Sequence, residues 1–516
     1  MRKILAFSIP FLLIQFIPCN RAVSECTIGV VNGIVSNDAR PLLWKSRMWA
    51  GCPDNQVVYF YGLPYDYIGV RNSGAYYPQM GLNSAGLCTG NSLVGSDDSH
   101  DGGFTEHVLR NCGTVDEVRD YIQGELTAGT LRVSGCFPFM DAAGNAAIFE
   151  INRSYWFLEY DTMNPNRAGQ GRLGWVVRAN EFHDRVDGTD DTSIGGRYYS
   201  GAYNIGGLIE NNVLSARTIV QGNDGANGYE FMRYGPGRPL ATIAAPTVCS
   251  SMVVRGVLAN EDPALATMWI SLGQANYGIA VPTWVRVIEV PDRLSNGDLA
   301  ALANSLRDTG NEMDTQASLL PLEAFLFEET EALLTHWRSM GVPSVEEMTR
   351  VETRMAEDAY SLLLCLDAND YDNKGPTPAM SVSEMSGLSL HFQMTATDED
   401  GSVERLFWDF GDDRISWAES PWHTYDMPGW YLVSCTVMDD DGANITDWQY
   451  VRVPKGNNDG DGDVDLDDYA ELPDCVTGPG RPPVAQECEI FDFEADGDID
   501  LFDFAGFQAG FTGRVP

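Results

Sequence analysis

Residues 26–35 read CTIGVVNGIV and residues 39–47 read ARPLLWKSR. The first run is rich in β-branched residues and punctuated by Gly29 and Gly33, which predicts a strand-turn-strand opening. Asn37-Asp38-Ala39-Arg40-Pro41 reads as a turn and Leu42 to Arg47 as the returning strand. Cys26 stands at the head of this arm. Upstream, Met1-Arg2-Lys3 is basic, Ile4 to Ile17 is almost wholly apolar, and Pro18-Cys19-Asn20-Arg21 breaks the run. The pattern is that of a secretory signal peptide, because the apolar stretch falls short of the roughly 20 residues a membrane span needs. Ala22 and Ser24 are small residues placed for cleavage after Ser24, and loss of one more residue makes Cys26 the N-terminus. An N-terminal cysteine carries nucleophile and base together: its α-amine, with a reference pKa of about 8, can take the thiol proton. Position alone leaves open that Cys26 is instead half of a disulfide.

The chain has 516 residues, which at about 150 per domain implies three or four domains. It carries 33 Lys+Arg against 74 Asp+Glu, a net charge of −41, so a nucleic-acid partner is excluded for want of a basic footprint. From Leu366 to Pro516 there are only 7 basic residues against 33 acidic ones. Such a tail either binds cations or merely solvates the chain. Eleven cysteines without close metal-type spacing exclude a zinc ribbon, and export would permit disulfides. No later stretch is long and apolar enough to span a membrane, so no transmembrane segment is expected once the signal is removed. A secreted, periplasmic or cell-surface location follows.

The domain organisation read from these patterns is 1–25 leader, 26–297 core, 298–366 helical extension, 367–378 linker, 379–454 β-rich module and 456–516 acidic tail. Thr105 to Asn111 and Val115 to Leu126 read as helices, the second opened by a Thr114/Glu117 capping box. Apolar residues recur at helical spacing from Asp298 to Leu366, punctuated by Pro321 and Pro343.

The Cys26-Thr27 start and the strand ending at Arg47 resemble N-terminal-nucleophile hydrolases, specifically linear-amide hydrolases of the choloylglycine hydrolase and penicillin-acyltransferase type. Further segments match in order: Gly81-Leu82-Asn83-Ser84-Ala85-Gly86-Leu87 followed by Asn91, then Val176 to Asn180, then Leu214-Ser215-Ala216-Arg217. The resemblance covers roughly Cys26 to Val290 and implies an α+β, four-layer αββα core that cleaves a linear C–N amide through a Cys26 thioester, with no catalytic cofactor. It also admits acyl transfer and dipeptidase action, on a small amide or short peptide. The implied site is Cys26 as nucleophile, Asn91 and Asn180 as oxyanion donors worth about 3 kcal/mol each, and Arg47 and Arg217 as cations lowering the thiol pKa. Asn83 is expected to be a turn residue and Asn180 and Arg217 admit purely structural readings. Where the family has Asp after the strand Arg, this chain has Met48; either another acid such as Asp54 fills that role or the site is impaired. His183 is the one histidine near the site and is expected to be structural. The rival from another class is a catalytically degenerate surface-binding protein.

Asp398 to Ser402, Leu406-Phe407-Trp408-Asp409-Phe410-Gly411-Asp412-Asp413 and Gly429 to Val433 resemble a polycystic-kidney-disease-type module, an immunoglobulin-like β-sandwich, with Asp413 replacing the usual final Gly. NNDGDGDVDLDD (457–468) and DFEADGDIDLFD (492–503) place oxygen ligands at loop positions 1, 3, 5, 9 and 12, with a further Asp at position 7, around a central Gly. They resemble dockerin-type repeats, a small EF-hand-like module, and imply structural Ca²⁺ held by Asn457, Asp459, Asp461, Asp463, Asp465 and Asp468 and by Asp492, Glu494, Asp496, Asp498, Asp500 and Asp503. A cohesin-like or cell-surface partner for the tail is implied likewise. Cys475 and Cys488 are plausible disulfide partners. Pairing of the other cysteines stays open.

Overall fold

The computed structural model describes residues 26–49, 53–94, 101–153, 155–164, 173–180, 182, 196–221, 247–309, 312–368, 373–386, 389–425, 429–453, 456, 464–482, 486–493 and 497–510. The leader 1–25, Cys52 and His183 lie outside them. In chain order the first half holds β1 (Thr27–Val31), β2 (Leu42–Met48), β3 (Asn55–Phe60), β4 (Tyr67–Asn72), β5 (Met80–Asn83), β6 (Cys88–Thr89) and β7 (Ser92–Leu93). Then come α1 (Asp101–Asn111), α2 (Val115–Ala128), β8 (Ser134–Met140), β9 (Ala146–Asn152), β10 (Trp156–Asp161), β11 (Trp175–Arg178), α3 (Gly196–Glu210) and α4 (Ala216–Gln221). β12 (Val248–Arg255), β13 (Thr267–Leu272), β14 (Ala280–Thr283), α5 (Asp292–Ser295), α6 (Asp298–Thr309), α7 (Glu312–Met340) and α8 (Val345–Asp367) follow.

Two antiparallel sheets form. One has the order β11-β1-β2-β12-β13-β14; the other runs β10-β9-β8-β6-β5-β4-β3, with β7 added on β8. Every residue of β1 and β2 is buried, the pattern of strands covered on both faces. On the outer side of the second sheet, Phe104, Val108, Val118 and Ile122 of α1 and α2 pack on Phe137, Phe139 and Phe149. On the outer side of the first, Trp269 stacks on Phe327 of α7 and Trp284 meets Trp337 edge-on. The inner faces meet each other across a shared core, bridged by the buried Arg178–Glu150 pair at 2.6 Å. The layers are therefore helix, sheet, sheet, helix. Gly29 is required here because a Cβ would lie 2.5 Å from the Trp44 indole. Thr114 caps α2 by accepting from Glu117 N–H, while the Glu117 carboxylate accepts from Gly113 N–H rather than from the cap residue itself. Pro321, read as a break, lies inside the continuous α7: as a helix interior residue it removes one backbone bond, and the buried Leu319, Leu322, Phe325 and Leu326 around it hold the helix on the core.

The second half opens with β15 (Thr377–Ser386), β16 (Ser389–Thr397), β17 (Val403–Asp409), β18 (Ile415–Ser416), β19 (Trp422–Thr424), β20 (Gly429–Asp439) and β21 (Asn444–Val453). They make a β15-β16-β19 sheet and a β18-β17-β20-β21 sheet around Phe392, Trp408, Phe410, Tyr425, Val433 and Cys435. The turn after β17 is structural. Asp409 Oδ1 accepts from Gly411 N–H, Asp412 pairs with His423 at 2.9 Å, and Asp413 holds the left-handed φ of +65° that the replaced glycine would adopt freely. The sandwich is docked on the helices: Glu329 of α7 bonds Arg354, Arg405 at 3.2 Å and the Trp417 indole N–H at 3.2 Å, and Arg405 also reaches Asp358 at 2.6 Å. Phe407 and Met438 join the main core.

The tail has α9 (Leu466–Tyr469), α10 (Leu472–Cys475) and α11 (Leu501–Gly510), with Cys475 disulfide-bonded to Cys488. Val464, Leu472, Phe491, Ile499 and Phe507 form its small core.

Candidate active site

Cys26 immediately precedes β1, is 4% exposed, and forms no disulfide with another described cysteine. In the β1–β2 ladder Thr27 faces Ser46, and in the β1–β11 ladder Ile28 faces Arg178. Continuing these registers sets Arg47 beside Cys26 on one side and Asn180 on the other. Side chains alternate along strands, so Cys26, Lys45, Arg47, Arg178 and Asn180 share one face. Arg178, ion-paired to Glu150 of β9, shows that this face is turned toward the second sheet.

The β7 segment approaches from that sheet. Ser92 Oγ donates to the Cys26 carbonyl at 3.3 Å, and Asn180 Nδ2 donates to the Leu93 carbonyl at 2.7 Å. Asn91, 3% exposed, donates from Nδ2 to Gln79 Oε1 at 3.0 Å, and its Oδ1 accepts from Lys45 Nζ, which also donates to the Gln79 carbonyl at 3.1 Å. Arg47 Nη1 donates to Asn55 Oδ1 at 2.6 Å and lies 3.3 Å from Cys249 Sγ. A thiol, two side-chain amides and two cations thus converge where β1, β2, β7 and β11 meet, the group types that acyl transfer from an amide requires. Three buried thiols elsewhere are held in the protonated form: burial pushes Cys112 up to about 11, Cys435 to about 12 and Cys88 well above the usual range.

Arg217 is placed elsewhere. It lies on α4, bonds Gln221 and pairs with Glu328 of α7 at 3.0 Å, and none of its described contacts reaches Cys26. Arg217 lines a cavity of about 590 Å³ between the helices and the sandwich turn. Asn83 is a turn staple: Nδ2 donates to the Leu109 and Cys112 carbonyls and Oδ1 accepts from Ala85 and Leu87 N–H. Met48 is 2% exposed and packs with Val248 and Ala275, and its carbonyl lies 4.0 Å from Cys26 Sγ. Asp54 is exposed and its Oδ1 accepts from Asn304 at 3.4 Å. Lys45, Gln79 and Ser92 were not singled out by the sequence. The available signal was a lysine two residues before Arg47 in a strand otherwise reading as buried.

In the tail, one carboxylate oxygen each of Asp498, Asp500 and Asp503 lie within 4.8 Å of one another. Asp468 and Asp503 are fully buried and each accepts, at 2.8 Å, from the N–H three residues earlier, at Asp465 and Asp500. Asp492 accepts from Gly497 N–H at 3.0 Å. Asn457, Asp459, Asp461, Asp463, Glu494 and Asp496 lie outside the described residues.

Residues 373–453 match the family model described as the PKD domain. Over 74 residues the chain is 36% identical to the pre-pro-metalloprotease PrtV of Vibrio cholerae, a match covering 14% of this chain and 8% of that protein. The chain thus spans under a tenth of that relative. Among solved structures, an N-acylethanolamine-hydrolyzing acid amidase ortholog of Caenorhabditis elegans is 15% identical, with 46% of this chain and 95% of that one covered and a TM-score of 0.31. A mutant conjugated bile acid hydrolase of Clostridium perfringens is 12% identical, with 50% and 92% covered and a TM-score of 0.30.

Proposed function

We propose that the chain is an exported amidohydrolase whose Cys26 thiolate attacks the carbonyl of a linear amide. Loss of residues 1–25 would free the Cys26 α-amine to take the thiol proton. The thioester forms as the amine leaves carrying that proton, and water then releases the acid. The observation that carries this reading is the placement of Cys26 just before β1, beside Arg47 and Asn180 when the β1 registers are continued, and bonded through its carbonyl to Ser92 of the segment bearing Asn91. Asn91 and Asn180 would meet the developing oxyanion with their amide groups. The same site would support transfer of the acyl group to an amine or cleavage of short peptides. Export is supported by the leader pattern of residues 1–25 and by the PKD module, and no helix among the described residues is long and apolar enough to cross a membrane.

Mass spectrometry of the exported protein should find Cys26 as its first residue, and Cys26→Ala should lose at least about a thousandfold in turnover of N-acyl amino acids, β-lactams or bile-salt amides. A mature chain beginning before Cys26 would refute the mechanism. That result would favour a degenerate binding protein, a reading to which Met48 lends weight, since its buried thioether stands where the family has a carboxylate.

The tail is proposed to bind two Ca²⁺. Its donor set is all oxygen, suited to a hard cation, and the second-loop carboxylates converge. Asp498, Asp500 and Asp503 would hold one ion and Asp465 and Asp468 would contribute to the other, with a cohesin-like or surface partner docking there. Calorimetric titration of the chelator-treated chain should show two equivalents bound, and no uptake of heat or metal would refute it.

A further inference from the structure

We infer that Lys45 is a positioning residue that sets the orientation of the Asn91 amide at the site, an inference resting on the amidohydrolase reading above. Lys45 is fully buried on β2, on the face it shares with Arg47, and its ammonium reaches both Asn91 Oδ1 and the Gln79 carbonyl. An ammonium group only donates, so the Asn91 edge that meets it must be the oxygen. The opposite edge, the NH₂, is thereby turned away from Lys45, and its bond to Gln79 Oε1 at 3.0 Å agrees with that assignment. An uncharged side chain that both donates and accepts would let the amide flip, and a flipped Asn91 would present oxygen to a developing oxyanion. The ammonium holds the orientation that can donate.

The lysine is itself confined. Its stem crosses Gly90, where a Cβ would lie 2.9 Å from Lys45 Cδ. A side chain at residue 90 would displace the ammonium from the residue next to it in sequence, Asn91. The absence of a side chain at position 90, the inward position of residue 45 and the acceptor edge of Asn91 are three parts of one arrangement.

Two thiol reactions on the mature full-length chain separate this role from a merely structural one. Acylation of Cys26 by p-nitrophenyl acetate forms an S–C bond through a tetrahedral oxyanion and expels p-nitrophenolate. Alkylation by iodoacetamide forms an S–C bond by displacement of iodide, with no oxyanion. Lys45→Met should slow acylation on the order of a hundredfold and leave alkylation within about twofold of wild type. Lys45→Arg, which also only donates, should restore acylation to within about tenfold, and Gly90→Ala should fall between the two. Acylation unchanged in Lys45→Met while Asn91→Ala is impaired would overturn the inference. So would equal losses in both reactions, which would mean that Lys45 acts on the thiol or on the fold. Cys26→Ala supplies the separate control: if it is labelled and acylated like wild type, the site reading falls and this inference with it.

Discussion

α7 buries Glu323 and Glu329 completely and α8 buries Glu352, and Glu329 and Glu352 meet opposite surroundings. Glu329 sits where α7 meets the sandwich, surrounded by Arg354, Arg405 and the Trp417 N–H. Glu352 sits where α8 covers the first sheet. It accepts from Trp284 N–H at 3.0 Å, and its Oε1 has no partner among the described residues. Burial pushes the Glu352 carboxyl up to about 8, so at neutral pH it is mostly protonated. The same desolvation acts on the surroundings of Glu329, holding Arg354 down to about 10 and Asp358 up to about 6, yet there the charges face one another. Depth in the protein is equal at the two places; what differs is the company, two guanidinium groups at Glu329 and a single backbone N–H at Glu352.

The sharpest way to break that contrast is Glu329→Gln. It leaves Arg354 and Arg405 buried against a neutral amide and should lower unfolding free energy by roughly 3 kcal/mol in denaturant titration, as broken buried pairs do. A loss near zero would mean that water already reaches the junction. Glu352→Gln tests the other side through pH. The folded-state value lies above the usual 4.5, so the folded chain holds this proton more tightly than the unfolded one. The stability from that proton is complete below about 4.5 and is lost as pH rises through about 8. Glu352→Gln should remove that decline, and urea midpoints from pH 5 to 9 should therefore converge at the acid end and separate, with the variant the more stable, at the alkaline end. Parallel curves would show that Glu352 does not titrate in this range. The smallest effect belongs to the turn that carries the sandwich against α7: Asp413→Gly removes a side chain from a left-handed backbone and should raise the melting temperature by the equivalent of about 1 kcal/mol or less. The His336 contact to the Asp413 carbonyl survives, because it is made to the backbone.

Much of this was legible in the chain. The paired strands after Cys26, the Thr114 cap, the sandwich turn and the Cys475–Cys488 pair all depend on local chemistry, which neighbouring residues carry in their own types and spacings. Of the residues singled out in the sequence, Cys26, Arg47, Asn91 and Asn180 lie together where β1, β2, β7 and β11 meet, while Arg217 lies elsewhere. What was not legible depended on distance in space. Lys45 and Arg47 occupy the same face of β2, and only the approach of β7 across Gly90 decides which of them meets Asn91. Arg217 sits in a suggestive triplet, but its direction follows from how α4 lies on α7. Pro321 reads as a stop, and the surrounding burial overrides it.

The ring of Phe407 stands 6.1 Å from that of Phe325, and the Arg405 guanidinium lies 5.4 Å from the same Phe325 ring. A shortened chain ended after the last long helix, at the linker, would bare this apolar and ionic patch to solvent and invite clumping. Anyone preparing the first half of the chain for crystals or assays should keep residues through 453, treating the sandwich as a lid on the helices' hydrophobic flank and not as a detachable appendage.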